Sequence, residues 1–322
     1  DDGPVDAPLI TARLTAALNR RAVQPAWPVL TARRLCFSEG DRLPGLIIDQ
    51  YDTAAAVQYL CPGMVRFRAA VTDWLTTRAG VQLVVERGNR GAGRDKGAAQ
   101  PGVLVHGAGD GSVTVTEHGV RFAVDLINGQ KTGFYANQRD NHALVRGLAQ
   151  GRRMLDLFCY TGGFALAAAA GGATAVTAVD SSAPAIAQAQ RNAALNGVAI
   201  DARRQNVFAF LQEPGDRYDL IVVDPPAPAS HKDAVPGARQ YFLKLMTGAL
   251  QRLAPNGLLL ACSCSHHFGE SEIREALRRA AAPLGLELHV SGSYGQPFDH
   301  PVAAALPEGD YLRALLVQRG TD

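Results

Sequence analysis

Residues 154–165, MLDLFCYTGGFA, pass from a short apolar segment through two adjacent glycines into an alanine-rich stretch. MLDLFCY is brief, rich in large apolar residues and closed by turn residues, which predicts a buried strand, with a helix following from Phe164. The same unit recurs three times downstream: AVTAVD with a helix over 183–196, YDLIVVD with a helix centred on 241–253, and GLLLACS with a helix over 271–282. Apolar strands alternating with amphipathic helices imply a parallel sheet covered on both faces, an α/β doubly wound, Rossmann-like arrangement. Ligands of such sheets bind at the carboxyl ends of the strands, so the residues there are the candidates for chemistry.

Upstream the pattern differs. A helix is predicted over 7–21, followed by the proline-bearing connector 24–28; residues 43–60, LPGLIIDQYDTAAAVQYL, alternate like two strands around a turn at Asp49 to Asp52. VRFRAAVTDWLTTRAG has helical spacing that stops at Gly80, and SVTVTEHGVRFAVDL reads as a hairpin turning near Glu117 to Gly119. Residues 86–102, ERGNRGAGRDKGAAQPG, are basic and glycine-rich without periodicity, which predicts a loop. Two domains are therefore expected, a smaller N-terminal α/β domain over 1–125 and the doubly wound domain over 126–322.

Composition narrows the class. The chain has 322 residues, 47% hydrophobic and 19% charged, with a formal net charge of +2 that permits a nucleic-acid partner without requiring one. No apolar run approaches the roughly 20 residues that span a bilayer, and the acidic start DDGPVD lacks the features of a signal peptide. A cytoplasmic protein with no membrane partner is expected. Five cysteines, an odd number, suit a reducing compartment better than a disulfide framework.

At the first strand end, Gly162 and Gly163 let the backbone approach a ligand, and the helix that follows offers unpaired N–H groups. There is neither the G-x-G-x-x-G of dinucleotide enzymes nor a P-loop lysine, so no pyrophosphate is implied. The second strand ends in Asp180, placed to accept both hydroxyls of a ribose. A nucleoside-like cofactor without a phosphate chain results, and S-adenosylmethionine fits; the alternative is that the glycines only turn the chain and Asp180 only caps a helix. The third strand end, VVDPPAPAS, presents Asp224 from a rigid elbow made by Pro225 and Pro226. Enzymes that methylate exocyclic amines often carry an aromatic ring directly after Pro-Pro, where this chain has Ala227.

The fourth strand end reads ACSCSHHFG, residues 261–269. No second Cys or His pair lies at a spacing that matches Cys262 and Cys264, which argues against a zinc site, and the two thiols are read as divided between cleft and core, which argues against a disulfide; no metal is expected. One thiol faces the cleft and one the core. A cleft thiolate that adds to carbon 6 of a pyrimidine makes carbon 5 nucleophilic enough to accept a methyl group.

KTGFYANQRDN, the glycine motif, DPP, SCSHH and DHP, spread over roughly residues 33–318, resemble the RlmI/RlmO-type 23S rRNA 5-methylcytosine methyltransferases. The resemblance implies a class I methyltransferase domain using S-adenosylmethionine, with Cys264 as nucleophile, Cys262 as core thiol and Asp224 on the N3/N4 edge of a flipped cytosine. Cofactor contacts are implied for Lys131, Thr132, Tyr135, Gln138, Asp156, Phe158, Tyr160, Thr161, Gly162, Asp180, Asn206 and Asp224. Pro225, Pro226, His266, Arg90 and Arg94 are expected on the substrate side. The implied partner is RNA, 23S rRNA before full subunit assembly, and a homodimer is compatible with the sequence. Two departures stand out: family members usually begin with a PUA domain that helps grip RNA, whereas this chain starts after that point, and Pro228 stands where the family often has an aromatic residue.

Several residues keep two readings. Arg87, Arg90, Arg94 and Lys96 are either phosphate-contacting or solvated; Arg33, Arg34, Arg152 and Arg153 read as surface charges. His266 and His267 either line the pocket and, with a helix N-terminus beyond Ser265, lower the thiol pKa, or simply cap that helix. Asp299, His300 and Pro301 border the cleft or end a loop. A guanine N-methyltransferase and a non-catalytic RNA assembly factor are the rival functions; Cys264 within SCS argues against the first, and the intact glycine, Asp180, DPP and SCS elements against the second.

Overall fold

In the computed structural model, which describes residues 3–88, 101–227 and 235–321, Asp6 accepts the Leu9 amide at 3.0 Å and Pro8 occupies the first turn of α1 (Ala7–Ala22). The helix thus starts where the sequence offers a cap. β1 (Ala32–Phe37), β2 (Leu46–Tyr51), β3 (Ala54–Tyr59), β4 (Leu83–Arg87) and β5 (Val103–His106) form a sheet in that spatial order. The one-turn α2 (Pro62–Val65) and α3 (Arg68–Arg78) provide the crossover that lets β3 and β4 run parallel. Ile10 and Leu14 of α1 and Trp74 and Leu75 of α3 share a core with Leu35, Ile48, Val57 and Val84. Each such buried side chain stabilises the fold by about 2 kcal/mol. β6 (Ser112–Glu117) and β7 (Val120–Asp125) pair as a separate hairpin.

The β2–β3 turn lies at Asp52, in a left-handed conformation with φ of 53°, and not at Asp49. Asp49 is a fully buried strand residue, directly across from Arg34 of β1. Arg34, expected at the surface, donates to both Asp49 oxygens at 2.7 Å, because a carboxylate enclosed by the sheet requires a compensating charge.

The chain divides into two compact units, Asp1–Arg139 with Pro297–Gly309, and Asp140–Gln296 with Asp310–Asp322. The boundary at Arg139, and not between 125 and 126, has a physical cause: segment 126–139 is tied to the first unit by buried polar contacts. Thr132 Oγ1 donates to Asp49 at 2.6 Å and lies 2.9 Å from the Tyr51 hydroxyl. Arg139 donates twice to the Asp299 carboxylate, at 3.0 and 3.1 Å. Asp299 also accepts the Arg34 amide at 2.9 Å and His300 Nδ1 at 3.0 Å, while its carbonyl accepts two bonds from Arg21. Burial alone would raise the Asp299 pKa, but His300 and Arg139 outweigh it and hold the carboxyl well below the usual range. His300 is lowered to about 4 by burial and then by Arg34, so its ring is neutral at pH 7. DHP is therefore a buried tie within the first unit, and not a loop end.

The second unit is built on a seven-stranded sheet. α4 (Arg139–Leu148) leads to β8 (Arg153–Leu157), α5 (Gly163–Ala170), β9 (Ala175–Asp180), α6 (Ala183–Asn196), β10 (Asp201–Arg204), α7 (Val207–Gln212), β11 (Tyr218–Val223), α8 (Val235–Gln251), β12 (Leu253–Ser263), α9 (Glu270–Ala281), β13 (Leu288–Tyr294) and β14 (Arg313–Arg319). The order is β10-β9-β8-β11-β12-β14-β13. The first five are parallel, but β14 runs antiparallel to both β12 and β13, so the sheet is mixed and not parallel throughout. Side chains alternate between two cores. Leu259 and Ala261 pack with Phe242 of α8 and Ile273 of α9; Leu258, Leu260 and Cys262 pack with Val145 of α4 and Ala165 of α5. Among the described residues no helix is long and apolar enough to cross a membrane.

Both tryptophans, Trp27 and Trp74, lie in the core of the first unit, so their fluorescence reports its unfolding alone. Asp299→Ala leaves the Arg139 charge buried without its carboxylate and is expected to destabilise this unit by about 3–5 kcal/mol. Urea denaturation followed by tryptophan emission measures the loss; an unchanged midpoint would contradict the assignment.

Candidate active site

The parallel strands end in register. Leu157 of β8 lies opposite Val179 of β9 and Val223 of β11, and Val223 lies opposite Ala261 of β12. Phe158, Asp180, Asp224 and Cys262 are each the next residue along, so the groups that sequence singled out occupy neighbouring strand ends. The end of the strand, and not pleating, separates the thiols: two positions apart, Cys262 and Cys264 would share a face of a continuing strand, but β12 stops at Ser263. Cys262 is fully buried in the core, whereas Cys264, beyond the end of β12, is only partly buried.

The loop after β8 is shaped by unusual backbone. Phe158 and Tyr160 adopt φ of 65° and 48°, and Gly162 follows at 88°. Left-handed conformations cost non-glycine residues about 1–2 kcal/mol each, and such strain gathers where a site needs a specific backbone path. Here it is held by Phe158 and Cys159 amides donating to the Val179 carbonyl at 2.9 and 3.1 Å and by the Gly162 amide donating to the Cys159 carbonyl at 2.8 Å. Asp180 accepts the Tyr160 amide at 3.0 Å and the Ser182 amide at 2.8 Å, one on each oxygen. A carboxylate oxygen accepts more than one hydrogen bond, so Asp180 retains capacity for two hydroxyls. Ser182, and not Asp180, caps α6, accepting the Ala185 amide at 3.3 Å.

Two supports of this loop escaped the sequence reading. Asn192 of α6 is fully buried and donates to the Thr161 carbonyl at 3.1 Å. His142 of α4 packs edge-on to Phe164, 4.5 Å between ring centres, and a methyl group on Gly163 would lie 2.5 Å from its Nε2. Gly163 is thus required by close packing on His142. An asparagine on the inner face of α6 was the only advance signal; nothing marked His142.

Asp156 stands out by its electrostatics. It is fully buried, with Oδ2 accepting the Ala165 amide at 2.9 Å and Oδ1 without a hydrogen-bond partner. Burial pushes its pKa up to about 8, the Ala165 amide opposing and the Asp224 and Asp180 carboxylates adding to the rise. A buried, unsatisfied carboxylate oxygen beside a glycine turn, with a ribose-competent acid on the next strand, fits a cofactor that carries an ammonium and a ribose. S-adenosylmethionine has both.

The remaining expected residues fall as follows. Asn206 caps α7, its Oδ1 accepting the Phe208 and Ala209 amides at 3.0 and 3.2 Å. Pro225 is buried and Pro226 exposed beside the half-buried Asp224. Lys131, Thr132, Tyr135 and Gln138 belong to the first unit, where Thr132 and Gln138 are buried while Lys131 is exposed, its Nζ 4.1 Å from the centre of the Tyr135 ring. Arg90, Arg94, Lys96 and Pro228 lie outside the described residues. His266 and His267 do not cap a helix. α9 starts only at Glu270, after a turn in which the Phe268 amide donates to the Ser265 carbonyl at 3.3 Å, and the Glu272 side chain accepts the Gly269 amide at 3.1 Å. His266 is exposed and lies 5.8 Å from the Tyr311 ring. Among the described residues no group of three or more His, Cys, Asp or Glu side chains is arranged to hold a metal.

Comparison with known proteins adds a family. Residues 99–312 match the family described as S-adenosylmethionine-dependent methyltransferase. Ribosomal RNA large subunit methyltransferase I of Aeromonas salmonicida is 38% identical over 296 residues, 90% of this chain and 75% of that protein. The protein of the same name from Tolumonas auensis is 34% identical over 98% of this chain and 82% of its own length. Among solved structures, a chain assigned as a methyltransferase and crystallised with SAH superposes with a TM-score of 0.85 at 22% identity, covering 99% of this chain and 83% of its own. That likeness concerns the fold.

The raised pKa of Asp156 has a testable sign. Between the ordinary aspartate value and about 8 the folded protein holds this proton while the unfolded chain has released it, so the group's contribution makes stability fall as pH rises. Asp156→Asn is expected to match wild type near pH 4 and to gain on it with increasing pH, by on the order of 1 kcal/mol per pH unit. Chemical denaturation of both proteins across pH 4–8, followed by circular dichroism, measures the difference; a gap that is constant or shrinks with pH would contradict it.

Proposed function

Because the chain belongs to the S-adenosylmethionine-dependent methyltransferase family, we propose that it methylates carbon 5 of a cytosine in large-subunit ribosomal RNA through a covalent adduct on Cys264. The observation that carries this reading is that Cys264, half-buried just beyond β12, and Asp224, just beyond β11, follow the carboxyl ends of adjacent strands, while Cys262 is buried in the core. A guanine N-methyltransferase has no use for a thiol at that strand end. The names of the relatives, which are large-subunit rRNA methyltransferases, supply the substrate class.

S-adenosylmethionine, when bound, supplies an electrophilic methyl group. In the second unit the turn from Phe158 to Gly162, Asp180 and Asn206 would hold it, with Asp156 Oδ1 accepting from its ammonium; Lys131, Thr132, Tyr135 and Gln138, which the resemblance also assigns to the cofactor, belong to the first unit. The target cytosine leaves its stack to reach the strand ends. Asp224 hydrogen-bonds its N3/N4 edge, Pro225 and Pro226 keep that carboxylate rigid, and His266 faces the base. Cys264 adds as thiolate to carbon 6, forming an S–C6 bond and shifting the ring's electron pair to carbon 5. Carbon 5 would then take the methyl group as the methyl–sulfonium bond breaks, the sulfur keeping that electron pair and leaving as the thioether S-adenosylhomocysteine. Removal of the carbon 5 proton returns the pair to the ring and expels Cys264 as thiolate.

RNA containing 5-fluorocytosine, incubated with the protein and S-adenosylmethionine, tests the covalent step, because fluorine at carbon 5 blocks the final proton removal. The expected mass spectrum shows a stable protein–RNA adduct with wild type and Cys262→Ala and none with Cys264→Ala. Methylation of unmodified rRNA without any adduct would contradict the nucleophile. Asp224→Asn should retain the fold and lose activity by about 100-fold or more, since a positioned polar group in the transition state is worth that much; full activity would remove Asp224 from the mechanism.

A further inference from the structure

Arg87 ends β4 at the edge of a basic, glycine-rich stretch, yet it is only 4% exposed. Its guanidinium turns inward to a loop some forty residues away. Nε donates to the Lys131 carbonyl at 3.0 Å, Nη1 to the Leu126 carbonyl at 2.9 Å and also to the Ile127 carbonyl, and Nη2 to the Gly129 carbonyl. Carbonyl dipoles that converge in this way repel one another and are stable together only around a cation. The loop is also held from its own side: Asp125 accepts the Ile127 and Asn128 amides at 2.9 and 2.8 Å, and a side chain at Gly129 would meet the Asp125 carbonyl at 2.4 Å. At its end stands Lys131, a non-glycine residue in the left-handed region with φ of 50°. A strained backbone of that kind persists only where its surroundings over-determine it, and the Arg87 bond to the Lys131 carbonyl is one such constraint.

We infer that Arg87 is a positioning residue for S-adenosylmethionine: its buried guanidinium holds loop 126–131 so that Lys131 and the segment through Gln138 are preset to receive the cofactor. The inference rests on the reading of 131–138 as a cofactor-contacting segment. It assigns Arg87 a role opposite to phosphate contact, since a guanidinium occupied by carbonyls and excluded from solvent does not reach RNA. It also fixes the kinetic signature. Without the clamp the segment visits its competent arrangement only part of the time, and apparent affinity falls by that fraction. Bound cofactor restores the arrangement, so turnover at saturation recovers.

The test compares wild type, Arg87→Lys, Arg87→Ala and Lys131→Ala in binding of S-adenosylhomocysteine by calorimetry and in steady-state methylation of rRNA. Arg87→Ala is expected to raise Kd, and KM for S-adenosylmethionine, by about tenfold or more if the competent fraction drops to a tenth, with kcat nearly unchanged. Arg87→Lys, one cation able to reach some of the carbonyls, should fall between and keeps the test valid should the alanine variant fold poorly. A lower kcat at unchanged KM and Kd, the signature of a partly unfolded population, would overturn the proposal. So would unaltered affinity in Arg87→Ala while Lys131→Ala binds weakly. If Lys131→Ala and Arg87→Ala both bind as wild type does, the cofactor reading of 131–138 fails together with the proposal.

Discussion

The Asp299 carboxylate, buried and shared among Arg139, Arg34 and His300, is the constraint on which the first unit depends. Arg139 lies 160 positions away in sequence, and the carbonyl of the same aspartate holds Arg21 across 278 positions. A charge enclosed this far from water is tolerable only with partners on all sides. The requirement draws Pro297–Gly309 out of the catalytic half of the chain and into the N-terminal unit. It also places Arg139, the first residue of α4, at the end of the segment expected to meet the cofactor. Asp49 repeats the device between Arg34 and Thr132, so the polar interior of this unit is continuous from Tyr51 to His300.

The second unit follows a different rule. Its central strands, β8, β9, β11 and β12, are apolar on both faces because helices cover both, and the candidate polar groups gather at their carboxyl ends. That geometry explains why two cysteines separated by one residue have separate fates. It also explains why Asp156, one residue short of the strand end, is buried with an unsatisfied oxygen while Asp180 and Asp224, one position further along their strands, are half-buried. The first unit compensates its buried charges with partners, whereas Asp156, raised to about 8 chiefly by burial, keeps its proton near pH 7 and has one oxygen without a hydrogen bond.

The catalytic half was legible in outline because its signal is local. Short apolar runs, glycines and alternating helices mark β8 to α6 within a few residues of where they lie, and the helix over 183–196 matches α6 throughout. Elements stabilised from a distance were not. β10, with sequence DARR, is an edge strand lacking an apolar face, and β13 is likewise largely exposed, so neither shows the alternation that betrays a half-buried strand. The antiparallel turn of β14 needs partners that composition does not reveal. The most instructive miss is charge. Arg34 read as a surface charge and Arg87 as either phosphate-contacting or solvated, yet their burial is set by acceptors that the fold brings from elsewhere, Asp49 for one and the carbonyls of 126–131 for the other. The strand-end residues were identifiable individually; that Asn192 and His142 brace the turn among them required the fold.

The proposed chemistry turns on the atom that receives the methyl group. Unmodified 23S rRNA incubated with the protein and S-adenosylmethionine labelled in its methyl group, then digested to nucleosides and separated by chromatography with mass detection, reads that atom directly. Label in 5-methylcytidine alone is the result predicted by Cys264 and Asp224 at adjacent strand ends. Label in a methylated guanosine or in an N4-methylated cytidine would contradict it and return both residues to a structural role.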